Sequence, residues 1–317
     1  MRALAWDGKR ARVVADAPDP VASPGFAVVR VLRAGICSTD LEILQGYLGF
    51  RGIPGHEFVG RVEQGPADLL GARVVGEINF ACGRCAACEA GRSRHCPSRS
   101  VLGIVGADGG FAERLRIPAS NLHRVPDAID DDTAVFVEPL AAAFRAAEQT
   151  SHLAGARSLV VGAGKLGLLV AQVLRARGDR VVVIARRAAA VELAARLGLD
   201  TAPALATGAA FDLVVDATGS TEGLSIALRA VRPLGTIVLK STVASRHEVD
   251  LAPLVVDEVT VVGSRCGPFG PAIEGLATGA ITVAPLVEAT LPLVEAPEGL
   301  RRAALPGARK ILLDTST

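Results

Sequence analysis

The sequence predicts an α/β protein in which a β-rich region precedes a doubly wound parallel sheet. Residues 1 to about 140 contain short apolar runs separated by Gly, Pro and Asp, a pattern typical of strands and turns. From about Thr133, strand-like apolar runs alternate with helical patterns, and this alternation predicts a parallel sheet with helices on both faces. The length of 317 residues agrees with two domains of about 150 residues each.

The individual elements follow from the same patterns. In the β-rich region, the predicted strands are 27–32, 58–62, 73–78 and 111–117. In the alternating region, the order is helix 134–150, strand 158–161, helix 165–177, strand 180–185, helix 188–197, strand 211–216, helix 221–231 and strand 236–240. Residues after about 267 are Pro-rich and mixed, and they end in a strand-like segment at 310–313.

Composition excludes several kinds of partner. Hydrophobic residues make up 50% of the chain, enough for a sizeable core, and only 3% are aromatic, which disfavours a base-stacking surface. The balance of 34 basic and 33 acidic residues argues against nucleic acid or a membrane surface, since either would favour a basic excess. Residues 1–17 lack the apolar core of a signal peptide, so we expect a cytoplasmic location.

A glycine-rich turn follows the predicted strand 158–161 and opens the next helix. Gly162-Ala163-Gly164-Lys165-Leu166-Gly167 fits G-x-G-x-x-G. In such a turn the first glycine allows the tight bend, the second lets the backbone approach a pyrophosphate, and the third lets helix and strand pack closely. A glycine turn without a ligand is the alternative, but the strand–turn–helix context favours dinucleotide binding.

The end of the second strand of this unit bears on the choice of dinucleotide. An NAD site usually has Asp or Glu there, to bind the ribose 2′-hydroxyl, but this chain has Ala185-Arg186-Arg187. The planar guanidinium of Arg suits a phosphate, so the two arginines favour NADP over NAD. The alternative is that Arg186 and Arg187 form only a solvated helix start. Thr218 and Lys240, after the next two strands, are further cofactor-binding candidates.

Six cysteines are present, and four of them, Cys82, Cys85, Cys88 and Cys96, fall within fifteen residues. Disulfides are rare in a reducing compartment, and four clustered thiolates are the usual ligand set of a closed structural zinc site. The alternatives are a redox C-x-x-C pair and a chance cluster of surface cysteines. We interpret Cys266, which has an apolar context, as a packing residue.

A second set of possible metal ligands is dispersed along the chain: Cys37, His56 with Glu57, and Glu138. Three ligands of S, N and O type would leave a fourth zinc position open, as a catalytic zinc requires. Spacing alone does not group these residues, because a lone His or Cys is more often a packing residue.

Family resemblance supplies the grouping. Gly-Ile-Cys-x-Thr-Asp at 35–40, Gly-His-Glu at 55–57, the four-cysteine segment and the glycine-rich turn stand in the order found in zinc-dependent medium-chain dehydrogenases. The chain resembles this family over essentially its whole length. Glu-Pro-Leu at 138–140 makes it most similar to the branch that contains polyol, threonine and glucose dehydrogenases.

The resemblance implies a fold and a division into domains. It implies a GroES-like β-barrel catalytic domain at 1–138, with the structural-zinc lobe at about 80–97. It also implies a Rossmann cofactor domain at 139–267, and a return of the chain to the catalytic domain at 268–317.

The resemblance further implies the site residues. Catalytic zinc would be bound by Cys37, His56 and Glu138, with Glu57 as an alternative ligand, and this gives two Zn²⁺ per chain. Thr39 would take the proton of the alcohol, and Asp40 would support the ligands from behind.

The implied activity is the reversible, NAD(P)-linked oxidation of an alcohol (a polyol, sugar or hydroxy compound) to its aldehyde or ketone. The alternatives are a zinc-independent NADPH enoyl or quinone reductase of the same fold, and a noncatalytic relative that binds zinc or cofactor. The expected partners are a small alcohol or carbonyl substrate and further copies of the chain, in a homodimer or homotetramer.

Overall fold

The computed structural model describes residues 1–208, 210–242, 246 and 248–316. By contacts, the chain forms two compact units. The first unit contains Met1–Glu138 together with Val287–Thr317, and the second contains Pro139–Leu286. The mixed α/β class expected from the sequence is confirmed.

The first unit is built mainly of short strands. Its strands are β1 (Ala3–Trp6), β2 (Ala11–Val14), β3 (Phe26–Gly35), β4 (Glu57–Gln64), β5 (Arg73–Gly76), β6 (Asn79–Phe80), β7 (Ser100–Leu102), β8 (Gly106–Ala107), β9 (Arg114–Pro118) and β10 (Leu122–Arg124). Its early helices are α1 (Ser38–Ile43), α2 (Ala86–Glu89) and α3 (Asp131–Ala134), and α4 (Val137–Gln149) begins at its boundary.

One sheet of this unit positions the residues discussed below. Its strands run in the order β10-β5-β4-β3 and continue through two strands from the end of the chain, while β9 also pairs with β3. The antiparallel strands β3 and β4 place Gly35 opposite Glu57. Most of β3 is buried, including the consecutive residues Ala27, Val28 and Val29, and Arg30 is its only fully exposed residue.

The second unit alternates strands and helices. Its elements are β11 (Arg157–Val161), α5 (Lys165–Ala176), β12 (Arg180–Ile184), α6 (Ala188–Arg196), β13 (Asp200–Ala202), β14 (Phe211–Asp216), α7 (Gly223–Ala230), β15 (Val231–Leu239), α8 (Ala252–Val256), β16 (Thr260–Gly263) and α9 (Phe269–Ala277). The chain then returns to the first unit as β17 (Val287–Pro292), α10 (Ala296–Ala303) and β18 (Lys310–Asp314).

The sheet of the second unit is parallel and runs in the order β13-β12-β11-β14-β15-β16. The direction of winding reverses between β11 and β14, so ligands are expected in the crevice outside the carboxyl ends of these strands. Both central strands are apolar and buried on both faces, which is typical of a parallel sheet covered by helices. This is the doubly wound Rossmann arrangement.

Residues 268–286 depart from the domain limits expected from the sequence. The family resemblance predicts that these residues belong to the C-terminal return, but they pack within the second unit. The side-chain amide of Gln172 in α5 donates to the Thr282 carbonyl at 3.0 Å and accepts from the Thr282 N–H at 2.9 Å. Gly275 of α9 lies against the ring of Phe144. A short Pro-rich segment carries no periodic signal for such contacts, so the sequence could not place it.

Within the described residues, no helix combines the length and the apolar character needed to cross a membrane.

Candidate metal centres and cofactor-binding turn

Cys37, His56 and Glu57 form a compact group of possible metal ligands. One ligand atom from each lies within 4.8 Å of the others. The antiparallel pairing of β3 and β4 explains this arrangement. Cys37 follows the end of β3 and caps α1, while Glu57 opens β4 opposite Gly35.

Two glycines make room for this group. A Cβ at Gly35 would overlap the Glu57 carboxylate and crowd Val135. Gly55, directly before His56, has φ +99°, and a Cβ there would lie 2.5 Å from the ring of Phe111. Both positions therefore require glycine, which gives a structural reason for Gly in Gly-Ile-Cys and in Gly-His-Glu.

Asp40 contacts both Cys37 and His56 of this group. Its carboxylate is fully buried, accepts the backbone N–H of Cys37 at 2.8 Å, and lies 3.3 Å from Nδ1 of His56. Burial alone would lower the pKa of His56, but the charge and hydrogen bond of Asp40, together with Cys37, raise it well above the ordinary value. The surroundings that stabilise an imidazolium also favour a metal cation, and a carboxylate on Nδ1 leaves Nε2 as the metal ligand.

Glu57 also pairs with a buried ammonium. Its Oε2 accepts from Nζ of Lys310 in β18, and both side chains are almost fully buried. The same Nζ lies 3.4 Å from the carbonyl oxygen of Ile36. Burial alone would lower the pKa of Lys310, but the charges of Glu57 and Cys37 raise it. Sequence reasoning missed Lys310; the only available signal was a lone charge opening the apolar strand Lys310–Asp314.

The donor set fits zinc. A thiolate, an imidazole and a carboxylate are ordinary zinc ligands. Oε1 of Glu57 is buried and, within the described part of the chain, has no hydrogen-bond partner. A buried carboxylate oxygen without a partner is costly, and a cation would satisfy it.

The other expected residues of this site lie as follows. Thr39, in the first turn of α1, has its hydroxyl 3.9 Å from Sγ of Cys37. Glu138 lies in the first turn of α4 and is half-buried. Among the described residues, the atoms grouped within 4.8 Å include Glu57 and do not include Glu138.

The four clustered cysteines form a second group of the same kind, with ligand atoms also within 4.8 Å of one another. Sγ of Cys85 lies 3.5 Å from that of Cys88 and 3.8 Å from that of Cys96. Four thiolates at the usual Zn–S distance around a tetrahedral zinc would be separated by about 3.8 Å. The pairing of β6 with β7 closes the loop that carries them.

The thiols of this group differ in acidity. Hydrogen bonds from the backbone of Arg84 and from Cys96 lower the pKa of Cys82 to about 6. Burial and the hydrogen bond with Cys85 raise the pKa of Cys88 to about 11. Because the half-buried Cys88 thiol keeps its proton at neutral pH, this site would release protons when it binds a cation.

The glycine-rich turn has the geometry that each of its glycines predicts. Gly162 has φ +111° and lies against the Ala217 carbonyl, so it takes the tight bend. A Cβ at Gly167 would overlap the carbonyl oxygen of Gly162, so the close packing of helix and strand requires glycine there. A Cβ at Gly164 would meet no protein atom within 4 Å, which leaves open space at the start of α5. Lys165 and Leu166 form the first turn of α5.

The other cofactor candidates occupy different environments. Arg186 and Arg187 are exposed and follow β12. Thr218 donates its hydroxyl to the buried carboxylate of Asp216 at 2.8 Å. Lys240 is buried rather than solvated, and its ammonium donates to the carbonyl oxygens of Ala142 and Arg265, each at 2.8 Å.

Comparison with known proteins agrees with this architecture. Residues 23–127 match the family model described as alcohol dehydrogenase GroES-like domain, and residues 166–278 match the model described as zinc-binding dehydrogenase. An L-threonine 3-dehydrogenase of Streptomyces avermitilis is 34% identical over 78% of this chain and 79% of its own length. A D-altritol 5-dehydrogenase of Agrobacterium fabrum is 32% identical over 93% of this chain and 94% of its own length.

Solved structures are similar over nearly the whole chain. A protein of Sinorhizobium meliloti assigned as a zinc-binding dehydrogenase, bound to NADP, has a TM-score of 0.91 and 28% identity, over 99% of this chain and 98% of its own. An Escherichia coli protein described as a short chain alcohol dehydrogenase, complexed with NADH, has a TM-score of 0.91 and 27% identity, over 99% of both chains. With two family models matched in order and relatives above 30% identity over most of its length, the chain belongs to the zinc-dependent medium-chain dehydrogenases.

Proposed function

We propose that this chain interconverts a polyol, sugar or hydroxy-acid alcohol and its carbonyl compound, with zinc at Cys37 and His56 and with NADP as the hydride carrier. The observation that carries the proposal is the group formed by Cys37, His56 and Glu57, with one buried carboxylate oxygen that has no hydrogen-bond partner among the described residues. Relatives named as threonine, altritol and L-galactonate dehydrogenases support the substrate class.

Each residue of the site has a separate role in the proposed reaction. Zinc, when bound, polarises the substrate oxygen, and the nicotinamide accepts or supplies the hydride. Cys37 and His56 hold the metal, and Asp40 fixes the imidazole so that Nε2 is free to bind it. Oγ1 of Thr39 would accept the proton of the alcohol while the hydroxyl proton of Thr39, which is only half-buried, passes to solvent water. Glu57 and Glu138 are the two carboxylates that complete the ligand set, in exchange with each other.

The cofactor preference rests on the second unit. The first turn of α5 and the open space at Gly164 suit a pyrophosphate. Directly after β12 the chain has Ala185, Arg186 and Arg187, with no acidic residue to hold a 2′-hydroxyl. We therefore propose NADP over NAD.

A second zinc is proposed for Cys82, Cys85, Cys88 and Cys96. Four thiolates leave no open position, so this zinc would stabilise its lobe and take no part in the reaction.

The proposal also includes a homodimer. β16 ends the sheet of the second unit, and Val261 within it is partly exposed. Leu234, Val255 and Val256 are exposed by 66%, 77% and 79%. An apolar strand edge of this kind is a surface that pairing with a second copy would cover. We expect Val261→Lys to reduce the molar mass measured by light scattering in solution; a wild-type monomer would refute the dimer.

The central experiment measures bound zinc and turnover together. Wild-type protein should contain two zinc per chain, Cys37→Ser one, and the matched control Cys266→Ser two. Each protein is then assayed with a panel of polyols, sugar acids and L-threonine, in the presence of NADP or NAD. Wild-type protein and Cys266→Ser should turn over a substrate of this panel, and Cys37→Ser should not. A single zinc in wild-type protein, or full turnover in Cys37→Ser, would contradict a zinc-dependent dehydrogenase and favour a zinc-independent reductase or a noncatalytic relative.

A further inference from the structure

A cavity of about 580 Å³ in the second unit is lined by three arginines. They are Arg186, directly after β12, Arg229, in the last turn of α7, and Arg246, between β15 and α8. Its volume falls within the range of small-molecule sites. Three separate segments therefore bring guanidinium groups to one concave surface.

The three guanidinium groups are available to a ligand. Within the described part of the chain, none of them forms an ion pair with a carboxylate within 4.0 Å, and none is bonded to another side chain. The cavity also contains Glu222 and Glu248, so its lining carries three positive and two negative charges. An anionic group would reduce the mutual repulsion of the three guanidinium groups.

The location of the cavity indicates which anion it would take. Val161 and Ile184 are paired at the ends of β11 and β12, so the glycine-rich turn and Arg186 follow adjacent strands. Thr221 and Ser225 line the cavity at the start of α7, which follows β14 on the other side of β11. Arg186, Thr221 and Ser225 thus place one part of the cavity lining near the carboxyl end of the sheet, where winding reverses.

We propose that Arg229 and Arg246, together with Arg186, bind the 2′-phosphate of the dinucleotide and thereby determine the preference for NADP. This inference rests on the proposed use of NADP and adds two residues from segments that carry no sequence motif. A guanidinium binds phosphate with two parallel hydrogen bonds, whereas the 2′-hydroxyl of NAD offers no charge.

The test uses zinc-loaded protein and two fragments of the cofactor, 2′,5′-ADP and 5′-AMP, measured by titration calorimetry. Arg229→Ala and Arg246→Ala should each lower the affinity for 2′,5′-ADP by about tenfold, the usual effect of losing a charge-assisted hydrogen bond. The affinity for 5′-AMP should not change. Arg196→Ala, an exposed arginine of α6 outside the cavity, is the matched control. Glu248→Gln should raise the affinity for 2′,5′-ADP, because the substitution removes a negative charge from the lining of the cavity.

The outcomes separate this inference from the proposed cofactor. If wild-type protein prefers 2′,5′-ADP and only Arg186→Ala abolishes the preference, NADP stands and the roles of Arg229 and Arg246 are refuted. Equal affinity of wild-type protein for both fragments would refute both proposals. The Glu248→Gln arm keeps the test decisive if an arginine variant is unstable, since a gain in affinity cannot result from misfolding.

Discussion

The ammonium of Lys310 pairs with the carboxylate of Glu57 in the interior of the first unit, and the same carboxylate is grouped with Cys37 and His56. The side chains are 2% and 1% exposed. Two positive centres would therefore compete for one carboxylate: Lys310 and the metal. The position of Lys310 makes it a positioning residue that limits how strongly Glu57 can bind zinc.

Lys310→Met should make Glu57 a stronger zinc ligand. Without the ammonium, the buried carboxylate has only the cation to neutralise it, and an unpaired buried charge costs several kcal/mol. We expect zinc release to slow by at least about tenfold, measured with a chromogenic chelator. Lys310→Arg, which keeps the charge, should release zinc at nearly the wild-type rate. Faster release from Lys310→Met than from wild-type protein would contradict this role.

Gly164→Ala and Gly167→Ala should separate cofactor binding from folding. A Cβ at Gly164 meets no protein atom within 4 Å, so that variant should keep its Tm and lose affinity for NADP. A Cβ at Gly167 overlaps the Gly162 carbonyl, so that variant should lose about 1–3 kcal/mol of stability. Thermal unfolding and NADP titration measure the two effects. Unchanged NADP affinity in Gly164→Ala would mean that the open space is not used by the pyrophosphate.

Cys96→Ser should remove one zinc per chain and lower the Tm while the zinc at Cys37 remains. Cys96 is fully buried and lies 3.8 Å from Cys85, so the lobe cannot rearrange around its loss. Metal analysis and calorimetry of wild-type protein, Cys96→Ser and Cys266→Ser test this. A Cys96→Ser variant with two zinc per chain would exclude the four-cysteine site.

Glu77→Gln should destabilise the protein at neutral pH but not in acid. Burial alone would raise the pKa of Glu77, but the hydrogen bond with His123 and the charge of Arg94 lower it below 4.5. A lowered carboxyl pKa contributes stability above the unfolded-state value, and this contribution is lost as pH falls through the folded-state value. We expect a deficit of a few tenths to about 1 kcal/mol at pH 7 that shrinks as the pH falls below 4.5 and through the lowered pKa of Glu77 in the folded state. The control is Glu192→Gln, on the exposed face of α6, whose free energy of unfolding in urea titrations should show no such dependence on pH. If Glu77→Gln lowered the free energy of unfolding by the same amount at every pH, the ionic contribution of Glu77 would be refuted.

The sequence predicted the Rossmann unit closely because its signals are local. The apolar runs that became β11, β12 and β14, and the glycine-rich turn between the first strand and α5, depend on residues adjacent in the chain. The family motifs likewise pointed to Cys37 and His56, which the antiparallel pairing of β3 and β4 brings together.

What the sequence did not indicate depends on long-range pairing. Lys310 reaches Glu57 only because β18 joins the sheet beside β3. Arg229 and Arg246 line one cavity although they belong to different segments and share no motif. The sequence indicates Lys240 only as a cofactor-binding candidate, and it gives no sign that the ammonium is buried on two carbonyl oxygens. No periodicity or spacing encodes such partners.

The pairing of Lys310 with Glu57 joins residues 253 positions apart, and this separation has a consequence for synthesis on the ribosome. The whole of the second unit, residues 139–286, is translated between them. That unit can therefore fold first, as domains generally do during translation. The first unit must wait with β3 uncovered on its β18 side and with the Glu57 carboxylate lacking its ammonium partner. During that interval the nascent chain would present Cys37, His56 and an uncompensated Glu57 to any available cation, so metal acquisition can precede completion of the sheet.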